Sequence, residues 1–177
     1  MLARDTVVFT GDWIPEHELA RSGGVALDAR TRGPQVDAGF HTLTRGVFAA
    51  GNLLRGAETA DACALEGTRV ARSIQAFLAN GHWPAQGLPV EVDSPIDWIY
   101  PNVVSAPGVA ADQGAFSFRV RDFCNGARLT VKQGEKAVFT REYRSLVPNQ
   151  TAHLDGGWLS AIDPAGGALR VGIETNR

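Results

Sequence analysis

The residues best placed to do chemistry are Gly51-Asn52 and, a few positions on, Thr59-Ala60-Asp61. The run Val47-Phe48-Ala49-Ala50 reads as a short apolar strand that passes directly into Gly51-Asn52. From Glu58-Thr59 onward a long helical pattern begins. A residue without a side chain where strand meets helix lets the backbone come close to a bulky ligand. The helix points its free N–H groups and positive dipole end back toward that same point, where they favour negative charge. Asn52 adds an amide that accepts through its carbonyl and donates through its NH2. These residue types suit holding a ligand and stabilising charge on it. Gly11-Asp12, at the end of the strand-like run Thr6-Val7-Val8-Phe9-Thr10, is a second turn of the same kind.

Other reactive residue types are present without a pattern that gives them a task. His17, His41, His82 and His153 show no ligand spacing and read as surface or packing residues. Cys63 and Cys124 fit neither a redox pair nor a metal site and read as buried thiols. Glu58 and Asp61 suit the cap and first turn of the helix, and Glu66 reads as structural or solvated. No catalytic acid or base and no metal ligand emerges.

The elements that must position these residues fall into two parts. Residues 1–83 mix short strands, near 6–10, 25–28, 35–37 and 47–50, with a short helix over 16–21 and a long one over 59–79. In the long helix Cys63, Gly67, Val70, Ile74 and Phe77 recur on one face, and Asn80-Gly81 supplies the stop. Residues 84–94 carry prolines and no helical period, which suits a linker or a crossing strand. From residue 95 to 177 apolar residues alternate with polar ones, as in Phe116-Ser117-Phe118-Arg119-Val120. Turn dipeptides at Asn125-Gly126, Gly134-Glu135, Gly156-Gly157 and Gly166-Gly167 punctuate that part, so it reads as an all-β antiparallel sandwich. Trp83, Trp98 and Trp158 are expected to fill the sandwich or seal the two parts together.

Composition narrows the classes. With 177 residues, 44% of them hydrophobic, the chain can bury real cores. A formal net charge of -2 leaves no basic surplus for nucleic acid. No apolar run approaches the ~18 residues that span a bilayer, and Met1 to Asp5 carries no apolar signal core, so a cytoplasmic location is expected.

Thr42 to Gly67 resembles the second flavin-binding segment of FAD-dependent, pyridine-nucleotide-disulfide-type oxidoreductases, and the order Phe9-Thr10-Gly11, Pro15, Leu27-Asp28, Val36-Asp37, Thr42 and Val47 to Gly51 is similar to their return from the NAD(P) domain into the FAD domain. The phrases GDWIPEHELA and GNLLRGAETAD are similar to the branch with amine, opine and sarcosine oxidase subunits and hydrogen cyanide synthase subunits. The resemblance covers roughly residues 5–80. It implies an α/β, Rossmann-like part of an FAD-binding domain in front of the sandwich. It also implies hydride transfer through FAD, with NAD(P) as a further cofactor of the complete enzyme. Gly11, Asp12, Gly51, Asn52, Thr59, Ala60 and Asp61 take the cofactor-contact positions. Asn52 stands where the family usually has an aspartate that accepts from a ribityl hydroxyl, and Thr59 to Asp61 face the flavin pyrimidine edge. The chain carries no G-x-G-x-x-G to hold the FAD pyrophosphate. It therefore reads as a fragment or subunit, inactive alone, whose partner is the missing N-terminal FAD/NAD(P)-binding portion or a second subunit. An oligomer is compatible with this. The alternative is a non-enzymatic protein that binds a partner through the sandwich.

Overall fold

The computed structural model describes residues 6, 14–56, 58–85, 87–105 and 116–175. The described residues form a short helix α1 (Glu18–Ser22) and a long helix α2 (Ala60–Asn80), then strands β1 (Leu88–Val92), β2 (Ile96–Tyr100), β3 (Val103–Val104), β4 (Phe116–Val120), β5 (Cys124–Gln133), β6 (Lys136–Leu146), β7 (Ala152–Leu154) and β8 (Leu169–Thr175). Five strands form one sheet in the order β3-β1-β8-β5-β6, and three form another in the order β2-β4-β7.

Alternation explains the strands. Phe116, Phe118 and Val120 of β4 point inward while Ser117 and Arg119 are half-buried. Ala127, Leu129 and Val131 do the same on β5, and Leu169 and Val171 on β8. With Ile96, Ile99, Leu154 and Trp158 these side chains make one buried cluster fed by both sheets. Gly134, at φ 56, turns the chain between β5 and β6. Asn125-Gly126 does not end a strand; both residues lie inside β5. Among the described residues β6 pairs on one side only, with β5.

The expectation of an α/β, Rossmann-like front segment is overturned: the chain is mostly β with one long helix. Residues 25–28, 35–37 and 47–50 make only isolated antiparallel bridges, Leu27 with Pro34, Val36 with Thr42 and His41 with Phe48. The reason is local. Left-handed residues, Arg32 at φ 61, Phe40 at φ 65 and Gly46 at φ 82, fold each short run back on its neighbour. A parallel layer would need long crossovers between strands. The β part departs from a wholly antiparallel sandwich as well. Residues 88–92, from the stretch between the two parts, form β1, and β1 pairs parallel to β8. The expected strand over 6–10 lies, except for Thr6, outside the described residues.

The front segment packs on β2 and β3. Val36, Phe40, Ala49 and Leu54 share a buried cluster with Trp98 and Tyr100. The Val36 N–H donates to Asn102 Oδ1 at 2.9 Å, and the Val103 N–H donates to the Val36 carbonyl at 3.2 Å. Asp28 Oδ1 accepts from the N–H groups of Arg30 at 3.0 Å and Thr31 at 2.6 Å, which sets a tight turn. A side chain at Gly33 would stand 2.2 Å from the Leu54 carbonyl oxygen, so only glycine lets this turn lie against residues 53–54.

Helix α2 starts at the Thr59 cap and stops at Gly81, which is left-handed at φ 66 and donates to the Phe77 carbonyl at 2.7 Å. Glu66 is its one buried residue. Its inward stripe runs through Cys63, Glu66, Val70, Ser73 and Phe77, displaced from the apolar face read in the sequence. Gly67 and Ile74 are exposed because Glu66 turns inward to meet buried partners. Leu65 and Leu78 also face outward, 60% and 77% exposed. Among the described residues no helix is long and apolar enough to cross a membrane.

Candidate functional site

Gly51 opens a short 3₁₀ turn, Gly51–Leu53, with φ 73. That left-handed backbone favours glycine, and apart from its two chain neighbours no described residue has an atom within 4 Å of where a Cβ would be. The space beside it is open. The Asn52 side chain ties the turn to the start of α2: its Oδ1 accepts from the Glu58 N–H at 2.9 Å and from the Cys63 thiol at 3.4 Å. Thr59 Oγ1 then accepts from the Ala62 N–H at 3.3 Å and caps the helix. Ala60 and Asp61 are exposed, and as first-turn residues their N–H groups are not used by the helix itself.

The structure thus joins Gly51, Asn52 and Thr59-Ala60-Asp61 in one continuous feature. Gly11 and Asp12 lie outside the described residues. The detail of Asn52 differs from the family pattern. Its carbonyl oxygen, the atom matching the usual ribityl acceptor, already serves Glu58 and Cys63, which leaves the NH2 as its outward-facing chemistry.

Beneath this feature lies an ion network that sequence reasoning missed. Glu66 Oε2 accepts from the Gly51 N–H at 2.9 Å, and its Oε1 pairs with Arg55 Nη2 at 2.5 Å. Arg55 also stands 3.5 Å from Glu58 Oε1 through Nε, and its guanidinium lies 4.2 Å from the centre of the Tyr100 ring. Glu58 Oε1 accepts from Thr151 Oγ1 at 3.1 Å and pairs with Arg119 Nη2 at 3.5 Å. Burial and then the Glu66 carboxylate push the Tyr100 phenol well above its ordinary range, so it stays neutral. Glu66 therefore holds the glycine turn in place. The clue in sequence was a charged residue on the helix face that packs inward, but its partners Arg119 and Thr151 stand far along the chain.

A second polar centre sits under the loop before Thr42. Buried Asp37 accepts from the N–H groups of Gly39 and His41, at 2.8 and 3.0 Å, and from Ser105 Oγ at 2.6 Å. His41 Nδ1 lies 3.0 Å from Asp37 Oδ1, and its ring packs against Phe48 and Trp83. Burial alone would raise the Asp37 pKa, but hydrogen bonds from His41 and Ser105 outweigh it and hold the carboxyl below its usual range. His41 is a packing residue that braces this loop, as the sequence suggested. A pocket of about 240 Å³ opens beside it, walled by Trp83 and Val103.

Among the described residues no group of three or more His, Cys, Asp or Glu side chains is arranged to hold a metal ion. Comparison with protein-family models, with curated proteins and with solved structures finds no match to this chain.

Proposed function

We propose that this chain is a flavin-contacting piece of an FAD-dependent, NAD(P)-type oxidoreductase, completed by an N-terminal FAD/NAD(P)-binding portion or by a partner subunit. The observation that carries this reading is the tie from Asn52 to Glu58 and Cys63, which fixes an open, left-handed Gly51 to the start of a capped helix. The residues fit the cofactor: a ligand can approach the Gly51 backbone without meeting a side chain, and the first turn of α2 is exposed. FAD, when bound, supplies the hydride-accepting chemistry. The chain's own part is to hold and polarise. The N–H groups of Ala60 and Asp61 favour negative charge, the Asn52 NH2 donates a hydrogen bond, and Glu66 keeps the turn from relaxing. No residue here is assigned a proton-transfer role.

The outward Leu65 and Leu78 of α2 support a covering partner, because large apolar side chains on a largely exposed helix are costly to leave in water. Two free thiols accord with a reducing, cytoplasmic setting.

The test is co-expression with the reading frame immediately upstream. The expected result is a G-x-G-x-x-G sequence in that frame and a yellow complex absorbing near ~450 nm. Gly51→Val should discharge the flavin while the β-sheets stay folded. An upstream frame without the fingerprint, or a colourless complex, overturns the reading.

A further inference from the structure

A cleft that shares Arg55 and Arg119 with the ion network beneath Gly51 is lined by five arginines, Arg30, Arg32, Arg55, Arg119 and Arg121, and by one carboxylate, Asp97. Its volume is about 440 Å³, within the range of small-molecule sites. Three of the five have carboxylate partners, Arg55 with Glu66, Arg119 with Glu58 and Arg121 with Asp97; Arg30 and Arg32 supply the positive charge left over, which favours an anion.

The arginines differ in what they already bind. Arg121 pairs with Asp97 at 2.7 Å. Arg119 lies over the Trp98 ring at 5.2 Å and reaches Glu58 behind the wall. Arg30 donates to the Val92 carbonyl at 3.3 Å, and neither it nor Arg32 makes an ion pair among the described residues. The neighbouring Asp28 carboxylate accepts from the backbone N–H groups of Arg30 and Thr31. Arg55 gives the decisive observation. Its side chain is 5% exposed; Nη2 is held by Glu66 and Nε faces Glu58 Oε1 at 3.5 Å, too long for a good hydrogen bond, while Nη1 is buried with no acceptor at all. A buried guanidinium with unused donors costs stability unless something accepts from it. The loop that brings Arg30 and Arg32 beside Arg55 is fixed by the close approach at Gly33 and by the left-handed Arg32. The fork of a guanidinium matches the oxygens of a phosphate group, and several forks together suit more than one negative charge.

We propose that this cleft binds a small phosphate-bearing anion. The cleft shares Arg55 and Arg119 with the network under the glycine turn, but Gly51, Asn52 and Thr59-Ala60-Asp61 do not line it, so the inference does not depend on the flavin reading.

The test is calorimetric titration of the full chain with inorganic pyrophosphate, against sodium chloride at matched ionic strength. Binding with a Kd below ~1 mM is expected at moderate salt. The double variant Arg30→Ala/Arg32→Ala removes two exposed side chains, so its fold should be intact; affinity should fall by roughly tenfold or more. Arg128→Ala, which removes an exposed arginine of β5 that does not line the cleft, should leave pyrophosphate binding unchanged. Arg55→Met should abolish binding, and the exposed double variant keeps the test decisive where Arg55→Met fails to fold. Inorganic phosphate and AMP separate the sources: tighter AMP binding supports the proposal with an ester as ligand, and tighter phosphate binding supports it with the free ion. No response to pyrophosphate beyond that to chloride, equal affinity in the Arg30/Arg32 variant, or an equal loss of binding in Arg128→Ala overturns it.

Discussion

The front segment and the two sheets are held by different forces. In the sheets the buried side chains are almost all apolar, and strands pair in ladders, the longest between β5 and β6, with register shifts at Ile96/Trp98 and Val131/Lys132. In the front segment pairing is reduced to single bridges, and buried polar groups take over. The buried polar and charged residues named by their low exposure are Thr31, Asp37, Thr42, Arg55, Glu66 and Asn102. All but Asn102 belong to the front, and Asn102 lies at its seam with the sheets, accepting from Val36. A region short of strands satisfies its backbone and fixes its shape through specific hydrogen bonds. Such a region has a unique geometry that one substitution can undo.

The largest break in that comparison comes from Glu66→Ala. It takes from buried Arg55 its closest carboxylate, leaving only the longer contact with Glu58, and frees the Gly51 N–H, at a cost of about 3–5 kcal/mol. Hydrogen exchange should show lost protection in the front segment first, with β5 and β8 amides kept. Uniform loss across the chain would show that the two regions unfold as one. Leu129→Ala is the counterpart in the sheets. Leu129 is fully buried, and truncation should cost about 3 kcal/mol through the cavity left behind, with β5 and β8 protection lost. Unchanged protection there would place the core elsewhere.

The smallest expected effect sharpens the contrast through acid. Asp37 has a depressed pKa in the folded chain, so its contribution to stability is present above the ordinary aspartate value and is lost as pH falls through the folded pKa. Asp37→Asn should therefore destabilise at neutral pH, and the gap to the unaltered chain should close in the acid range below about pH 4. Thermal melts across that range check it; a constant gap would mean that Asp37 acts through shape alone.

The same division explains what could be read from sequence. Phe116-Ser117-Phe118 and Leu129-Thr130-Val131 alternate because each strand has one buried side, so the strands were legible. The partnership of β1 with β8 was not, because parallel pairing joins Val90 to Leu169 without any local mark. The start and stop of α2 were visible in Thr59 and Gly81, whose types follow from cap geometry. In the front segment apolar runs such as Val47 to Ala50 suggested a short strand of an α/β layer. They serve instead as packing points between turns, with Ala49 inside the small cluster. Of the candidate site, the glycine turn and the helix start were legible as neighbours in sequence. The Arg55–Glu66 pair and the links from Glu58 to Arg119 and Thr151 were not, since side-chain pairing over long separations leaves no periodic trace.

The side of β6 left unpaired among the described residues carries a consequence for how copies of this chain behave when crowded. An eleven-residue outer strand, Lys136 to Leu146, is a template on which a stray extended segment could grow a further strand. Its sequence makes that growth unrewarding. Arg141, Glu142 and Arg144 are exposed along it, and Arg141 and Glu142 are engaged with Asp155 and Arg128. A neighbour aligning there would have to strip water from these charges. The border of the larger sheet is thereby protected against aggregation by its own charged side chains.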